Sequence, residues 1–193
     1  MTLAASDKNA KNDQMLTLPY TLANPALQRQ TMIDTHAHIY ASEFDNDRDQ
    51  VVERALAQGI DRILLPNIDL ESIEPMLKTE AAYPQVCRSM MGLHPCYVDG
   101  NVEQTLQVIR HWFEKHNFIA VGEIGIDLYW DKTYKAEQEM AFVTQLNWAK
   151  EMKLPVVIHT RDSIEETLQL LEQEQNGSLS GVFHCFGGSV EEA

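Results

Sequence analysis

From Met32 onward this chain alternates short runs of Ile, Val and Leu with stretches of helical periodicity, and that alternation narrows its possible folds more than any other feature. The strand-like runs lie at 32–36, 62–67, 88–93, 119–123, 155–159 and 181–184. Brief, continuously apolar runs of this kind fit parallel strands covered on both faces. Between them, Val102, Leu106, Ile109 and Phe113 follow helical spacing, with Asn101 placed to cap the helix start. Ile164, Leu168 and Leu171 repeat the stripe, preceded by Ser163 and Glu166 in a capping-box pattern. A helix over 47–58 puts Val51, Val52, Ala55 and Leu56 on one side and stops before Gly59, a natural terminating residue. The repeat is βα. It admits an open doubly wound sheet or part of an eight-unit barrel, which typically needs ~250 residues.

The 193 residues, 44% hydrophobic, are enough for one core and too few for two large ones. Residues 1–31 are polar and aperiodic and read as a disordered leader; the domain proper reads as 32–193. No apolar run approaches the ~20 residues of a membrane span. The start lacks the basic-then-apolar layout of a secretory signal. The three cysteines, Cys87, Cys96 and Cys185, show no paired spacing and fit reduced thiols in a cytoplasmic protein. A formal net charge of −14 argues against a long duplex footprint, because phosphate neutralisation by basic side chains supplies most of such affinity. An anionic substrate would have to be held locally, at an end or along a single strand. A small anionic substrate satisfies the same condition.

The chemistry sits at the strand ends. His36 and His38 follow the first strand two residues apart, so in an extended segment both imidazoles face one side. Glu123 ends the fourth run, His159 the fifth and His184 the sixth. The C-terminal ends of the strands are where barrel enzymes build their sites. Of the seven histidines, His111 and His116 lie on or just after a helix and read as solvated surface. Imidazoles with one carboxylate suit zinc, manganese or similar ions better than calcium. A carboxylate can bridge two ions, a geometry that serves hydrolysis. No glycine-rich nucleotide fingerprint points to an organic cofactor.

Five ordered motifs carry a resemblance: Met32-Ile33-Asp34-Thr35-His36-Ala37-His38, Gly92-Leu93-His94-Pro95, Gly122-Glu123-Ile124-Gly125-Ile126-Asp127, Pro155-Val156-Val157-Ile158-His159-Thr160-Arg161 and Val182-Phe183-His184-Cys185-Phe186. The series resembles the TatD-type deoxyribonucleases, a branch of the amidohydrolase-like barrel hydrolases. The resemblance implies an α/β fold of TIM type, a (β/α) barrel with about six of its eight βα units in this chain. It implies two divalent ions (Mg, Mn or Zn): His36 and His38 on the first, His159 and His184 on the second, with Glu123 as catalytic bridge. His94, Arg161 and Asp127 fall on the substrate side, His94 and Arg161 toward the phosphate and Asp127 steadying a ligand histidine. Tyr129 and Trp130, in the loop after the fourth strand, could stack a base or cover the barrel top. The implied partner is a DNA end or single-stranded DNA, with no membrane.

The family completes its first metal site with an aspartate on an eighth strand, whereas this sequence reaches Ala193 just after its sixth. The chain is therefore expected to be C-terminally truncated, with exposed edges that drive association. Three functions remain open: a metal-dependent exonuclease-type deoxyribonuclease, an amidohydrolase-type hydrolase of a small ester, lactone or phosphoester, and an inactive metal-binding barrel remnant.

Overall fold

The structure, a computed structural model, describes residues 32–191. The chain divides into two units, Met1–Gln30 and Thr31–Ala193, and the described residues belong to the second. The leader expected over 1–31 lies outside them. The elements run β1 (Met32–Asp34), α1 (Arg48–Ala57), β2 (Ile60–Pro66), α2 (Ile73–Ala82), β3 (Cys87–Met90), α3 (Val102–Lys115), β4 (Val121–Asp127), α4 (Lys135–Met152), β5 (Val156–Arg161), α5 (Ile164–Glu174) and β6 (Gly181–Phe183). Single turns of 3-10 helix follow β1 at Ser42–Phe44 and β3 at Pro95–Tyr97. Six strands and five α-helices are present, so among the described residues the sixth strand has no helix after it. No helix of the described residues is long and apolar enough to cross a membrane.

Strand order distinguishes the two architectures. All pairings are parallel and follow the chain, β1-β2-β3 and β4-β5-β6, and a bridge between Met91 and Val121 joins the two sheets. A doubly wound sheet would reverse direction at a switch point; this arc never does, as in a barrel. Side chains alternate accordingly. Ile63 and Leu65 of β2 pack with Val52, Ile73, Met76, Leu106 and Ile109 of the helices. Ile124, Ile126, Val156 and Ile158 do the same against Phe142, Leu146 and Ala149 of α4. The residues between them, Leu64, Met90 and Val157, form a separate cluster on the opposite, concave face. Each fully buried aliphatic side chain contributes about 1.5–3 kcal/mol in transfer free energy. On the same concave face of β5 as Val157, two residues on, stands His159.

Several local expectations are corrected. β4 runs on to Asp127, so Glu123 lies inside the strand and not at its end. β1 stops at Asp34, leaving His36 and His38 in the loop beyond it, where the Ala37 amide donates to the Leu64 carbonyl (3.0 Å). The capping box before α5 does not form: the Ser163 hydroxyl donates to the Ile126 carbonyl (2.6 Å) and Glu166 takes Lys135 (2.9 Å). Asn101 occupies the cap position of α3 without a side-chain cap bond. His116 is only partly solvated, because Nε2 meets the buried Glu80 at 2.9 Å; His111 is exposed beside Glu114. Gly59 does end the first helical region, at φ +92°.

β1 and β6 each lack a neighbour on one side among the described residues, and Met32, Ile33 and Val182 there are exposed. Next to that gap lies a largely apolar cavity of about 380 Å³, walled by Leu64, Met90, Val157 and Phe183.

Gly125 is the tightest backbone contact near the site. Its φ is +145°, it pairs with His159, and a Cβ there would fall onto the His159 carbonyl oxygen. Gly125→Ala should therefore destabilise the fold by at least about 2 kcal/mol. Urea denaturation would show this as a lower midpoint, and an unchanged midpoint would mean that the β4–β5 pairing gives way freely.

Candidate metal centre

Glu123 is 3% exposed, and its two carboxylate oxygens face different partners. Oε2 lies 3.1 Å from His36 Nε2 and 3.9 Å from His38 Nε2. Oε1 lies 3.3 Å from His159 Nδ1 and 3.8 Å from His94 Nε2. Among the described residues two sets of ligand-competent groups emerge: His36, Glu123 and His184, and His94, Glu123 and His159. Glu123 belongs to both. All of these side chains but His94 line a cavity of about 960 Å³, also walled by Arg161 and Glu166.

The protons on one of these rings can be assigned. Tyr40 donates its hydroxyl hydrogen to the Pro66 carbonyl (2.6 Å), so its contact with His38 Nδ1 (2.8 Å) requires the ring nitrogen to be the donor. A neutral His38 then has its lone pair on Nε2, which faces His36 Nε2 at 3.2 Å and the carboxylate beyond. Those nitrogens and an oxygen converge with too few protons to satisfy one another. His36 Nδ1, in addition, is buried without a hydrogen bond. A divalent cation resolves that convergence, and the donor set of imidazoles with a carboxylate suits a borderline ion.

The electrostatics follow from burial set against contacts. Burial alone would raise the Glu123 carboxyl, but hydrogen bonds with His159 and His36 and the charge of His94 hold it well below the usual carboxylate range. Burial pulls His94 down to about 4, and it lowers His38 and His184 as well, aided by the nearby His36. His159 goes the other way: burial lowers it, yet Glu123 and Asp127, one at each ring nitrogen, together raise it. In the metal-free chain the depressed Glu123 stabilises the fold above its unfolded value and loses that contribution as pH falls through its folded value. The raised His159 stabilises the fold below 6.5 and loses that contribution as pH rises through its folded value.

The six sequence-derived groups His36, His38, His94, Glu123, His159 and His184 are brought together, the histidines gathered around Glu123. Their grouping differs from expectation. His184 stacks on His36, centroids 3.4 Å apart, instead of standing in a set with His159, while His94 joins His159. Asp127 is not on the substrate side. It is buried, with Oδ2 2.8 Å from His159 Nε2 and 3.4 Å from Cys96 Sγ, and Oδ1 accepting the amides of Tyr129 and Trp130. Burial and that carboxylate push the Cys96 thiol up to about 12. Arg161 lies over the Tyr129 ring, its Cζ 3.8 Å from the centroid.

Four residues important to this geometry have no counterpart in the strand-end reading. Tyr40 sets the His38 ring, as above. From α4, Gln145 both accepts from the Leu93 amide (2.7 Å) and donates to its carbonyl (3.3 Å), fixing the loop at His94. One helical face further back, Gln138 accepts the Asp127 amide (2.9 Å). Asn67 takes the Glu123 amide on its carbonyl (3.2 Å) and spans to Gly92 with its side chain (2.8 Å). The one available signal was the pair of glutamines seven apart on an otherwise apolar helix face.

Comparison with known proteins shows which family the chain belongs to. The chain is 35% identical over 162 residues to the "Uncharacterized metal-dependent hydrolase YabD" of Bacillus subtilis strain 168, covering 84% of this chain and 63% of that protein. It is 34% identical over 161 residues to the "3'-5' ssDNA/RNA exonuclease TatD" of Dickeya dadantii, covering 83% and 61%. Among solved structures, the Escherichia coli K12 TatD homologue YJJV superposes with a TM-score of 0.77 at 29% identity, over 84% of this chain and 62% of that one. A TatD family hydrolase of Entamoeba histolytica shares the fold, with a TM-score of 0.69 at 24% identity over 84% and 60%. The chain thus spans about three fifths of the length of the relatives it matches. The family profile described as "TatD related DNase" matches residues 33–193, and the chain belongs to that family.

Proposed function

We propose that this chain carries the metal-binding face of a divalent-metal-dependent phosphodiester hydrolase acting on the ends of single-stranded nucleic acid. The observation that carries the reading is the buried Glu123 carboxylate, whose two oxygens each face a separate set of imidazoles. The relatives support it: one is named a metal-dependent hydrolase and another an exonuclease of single-stranded DNA and RNA. Two divalent ions held there, Mg, Mn or Zn, would supply Lewis acidity and a water acidified toward neutral pH.

In this reading Glu123 would serve both ions, with His36 and His38 holding one and His159 the other. His184 and His94 complete the two sets as the groups of ligand atoms divide them. Tyr40 holds the His38 lone pair toward the cavity, and Asp127 does the same for Nδ1 of His159. Arg161, on the wall of the same cavity, offers its fork of donors to a phosphate. The −14 charge confines such contacts to the mouth. An end-directed site needs no more than that.

Glu123→Gln should weaken manganese binding by about 100-fold or more, read by calorimetry, and abolish chelator-sensitive shortening of a labelled single strand. Normal metal occupancy in that variant would remove the bridge. Tyr40→Phe should cost about 10–100-fold in metal affinity, and the ring-nitrogen shifts of His38 in NMR should show a mixture of tautomers. A single unchanged tautomer would show that Tyr40 does not orient the ring. Because ion binding must displace the proton that Glu123 and Asp127 stabilise on His159, affinity should fall by about tenfold per pH unit below that group's raised value. Titration at pH 8, 7 and 6 checks this, and pH-independent affinity would exclude His159 as a ligand.

A further inference from the structure

The loop after β4 carries two aromatic side chains that the metal centre does not use. Tyr129 is 51% exposed and Trp130 69%, their rings edge to face with centroids 4.8 Å apart. They do not cover the core; they stand away from it. Arg161 approaches both, its Cζ 3.8 Å from the Tyr129 centroid and 5.1 Å from that of Trp130. Arg161 also walls the metal cavity, together with His36, Glu123 and His159. The aromatic pair therefore stands at the rim of that cavity.

The backbone beneath the pair is fixed. The amides of Tyr129 and Trp130 donate to Asp127 Oδ1 (3.0 and 3.3 Å), while Oδ2 of the same carboxylate holds His159 Nε2. One buried carboxylate thus ties the aromatic loop and a candidate ligand to a common point. Large aromatic faces held in water on a rigid support, beside a guanidinium, are built for a flat ligand.

Charge decides which flat ligand. The cavity wall also bears Asp162, Glu165 and Glu166, and the chain as a whole is at −14, so phosphate contacts give little affinity. Stacking on a neutral ring is not penalised by that field, and it tolerates any base.

We propose that Tyr129, Trp130 and Arg161 form a nucleobase-stacking subsite at the rim of the metal cavity, which holds a base of a single strand beside the end being cleaved. The assignment rests on reading the cavity as a site for nucleic-acid ends. It makes the exposed face of Trp130 the main source of affinity and predicts only a shallow dependence of binding on salt.

Fluorescence anisotropy with a labelled oligothymidylate, and with an abasic strand of equal length, tests this on the full chain with chelator present to prevent cleavage. Wild type should prefer the base-bearing strand. Trp130→Ala should weaken that strand about tenfold and leave the abasic one unchanged, while Trp130→Phe stays near wild type. An equal loss on both strands, no loss on either, or no wild-type preference for bases would overturn the subsite. Manganese-dependent hydrolysis of methyl p-nitrophenyl phosphate by the wild type separates the two readings, since that substrate has no base. Its absence alongside base-dependent binding would defeat the hydrolase reading and leave the stacking subsite standing.

Discussion

A carboxylate buried in the middle of a sheet is the constraint around which the rest of this molecule is arranged. Unpaired, the Glu123 charge would cost several kcal/mol of desolvation. It is tolerated because imidazoles from four other segments reach it: the loop after β1, the loop after β3, β5 and the residue after β6. No single segment of the chain could supply such a shell. Parallel strands in sequential order bring these ends to one side, which is why the barrel arc and the site are inseparable.

The imidazoles are aimed by groups that never face the cavity. Tyr40 and Asp127 each occupy one nitrogen of a histidine ring and turn the other toward Glu123. Behind them, α4 reaches through the core with Gln138 and Gln145 to grip the backbone at the end of β4 and in the His94 loop. A buried amide is worth having only when both its ends are satisfied, and Gln145, fully buried, satisfies both on Leu93. The helix that contributes no candidate ligand thereby sets the positions of the His94 loop and of the strand end that carries Asp127.

Surface charge and site chemistry pull in opposite directions. An acidic chain repels polyanions at long range, yet the cavity gathers histidines and an arginine, and that arginine lies against two exposed aromatic rings. In the proposed function, short-range contacts, which screen weakly, would take the place of long-range attraction.

The sequence by itself determined the βα alternation, the termination at Gly59 and the choice of histidines and glutamate, because these depend on local apolar period and on residue chemistry. It did not determine that Glu123 sits within β4, that its oxygens divide between two sets, or that His184 falls with His36 and His94 with His159. Nor did local pattern foresee that Ser163 and Glu166 would bond elsewhere, or that Tyr40 would govern His38. Each of these is a contact between residues whose facing is set by strand register and packing. Which oxygen meets which nitrogen is fixed only when the strands are brought together, so that part of the protein belongs to the tertiary structure alone.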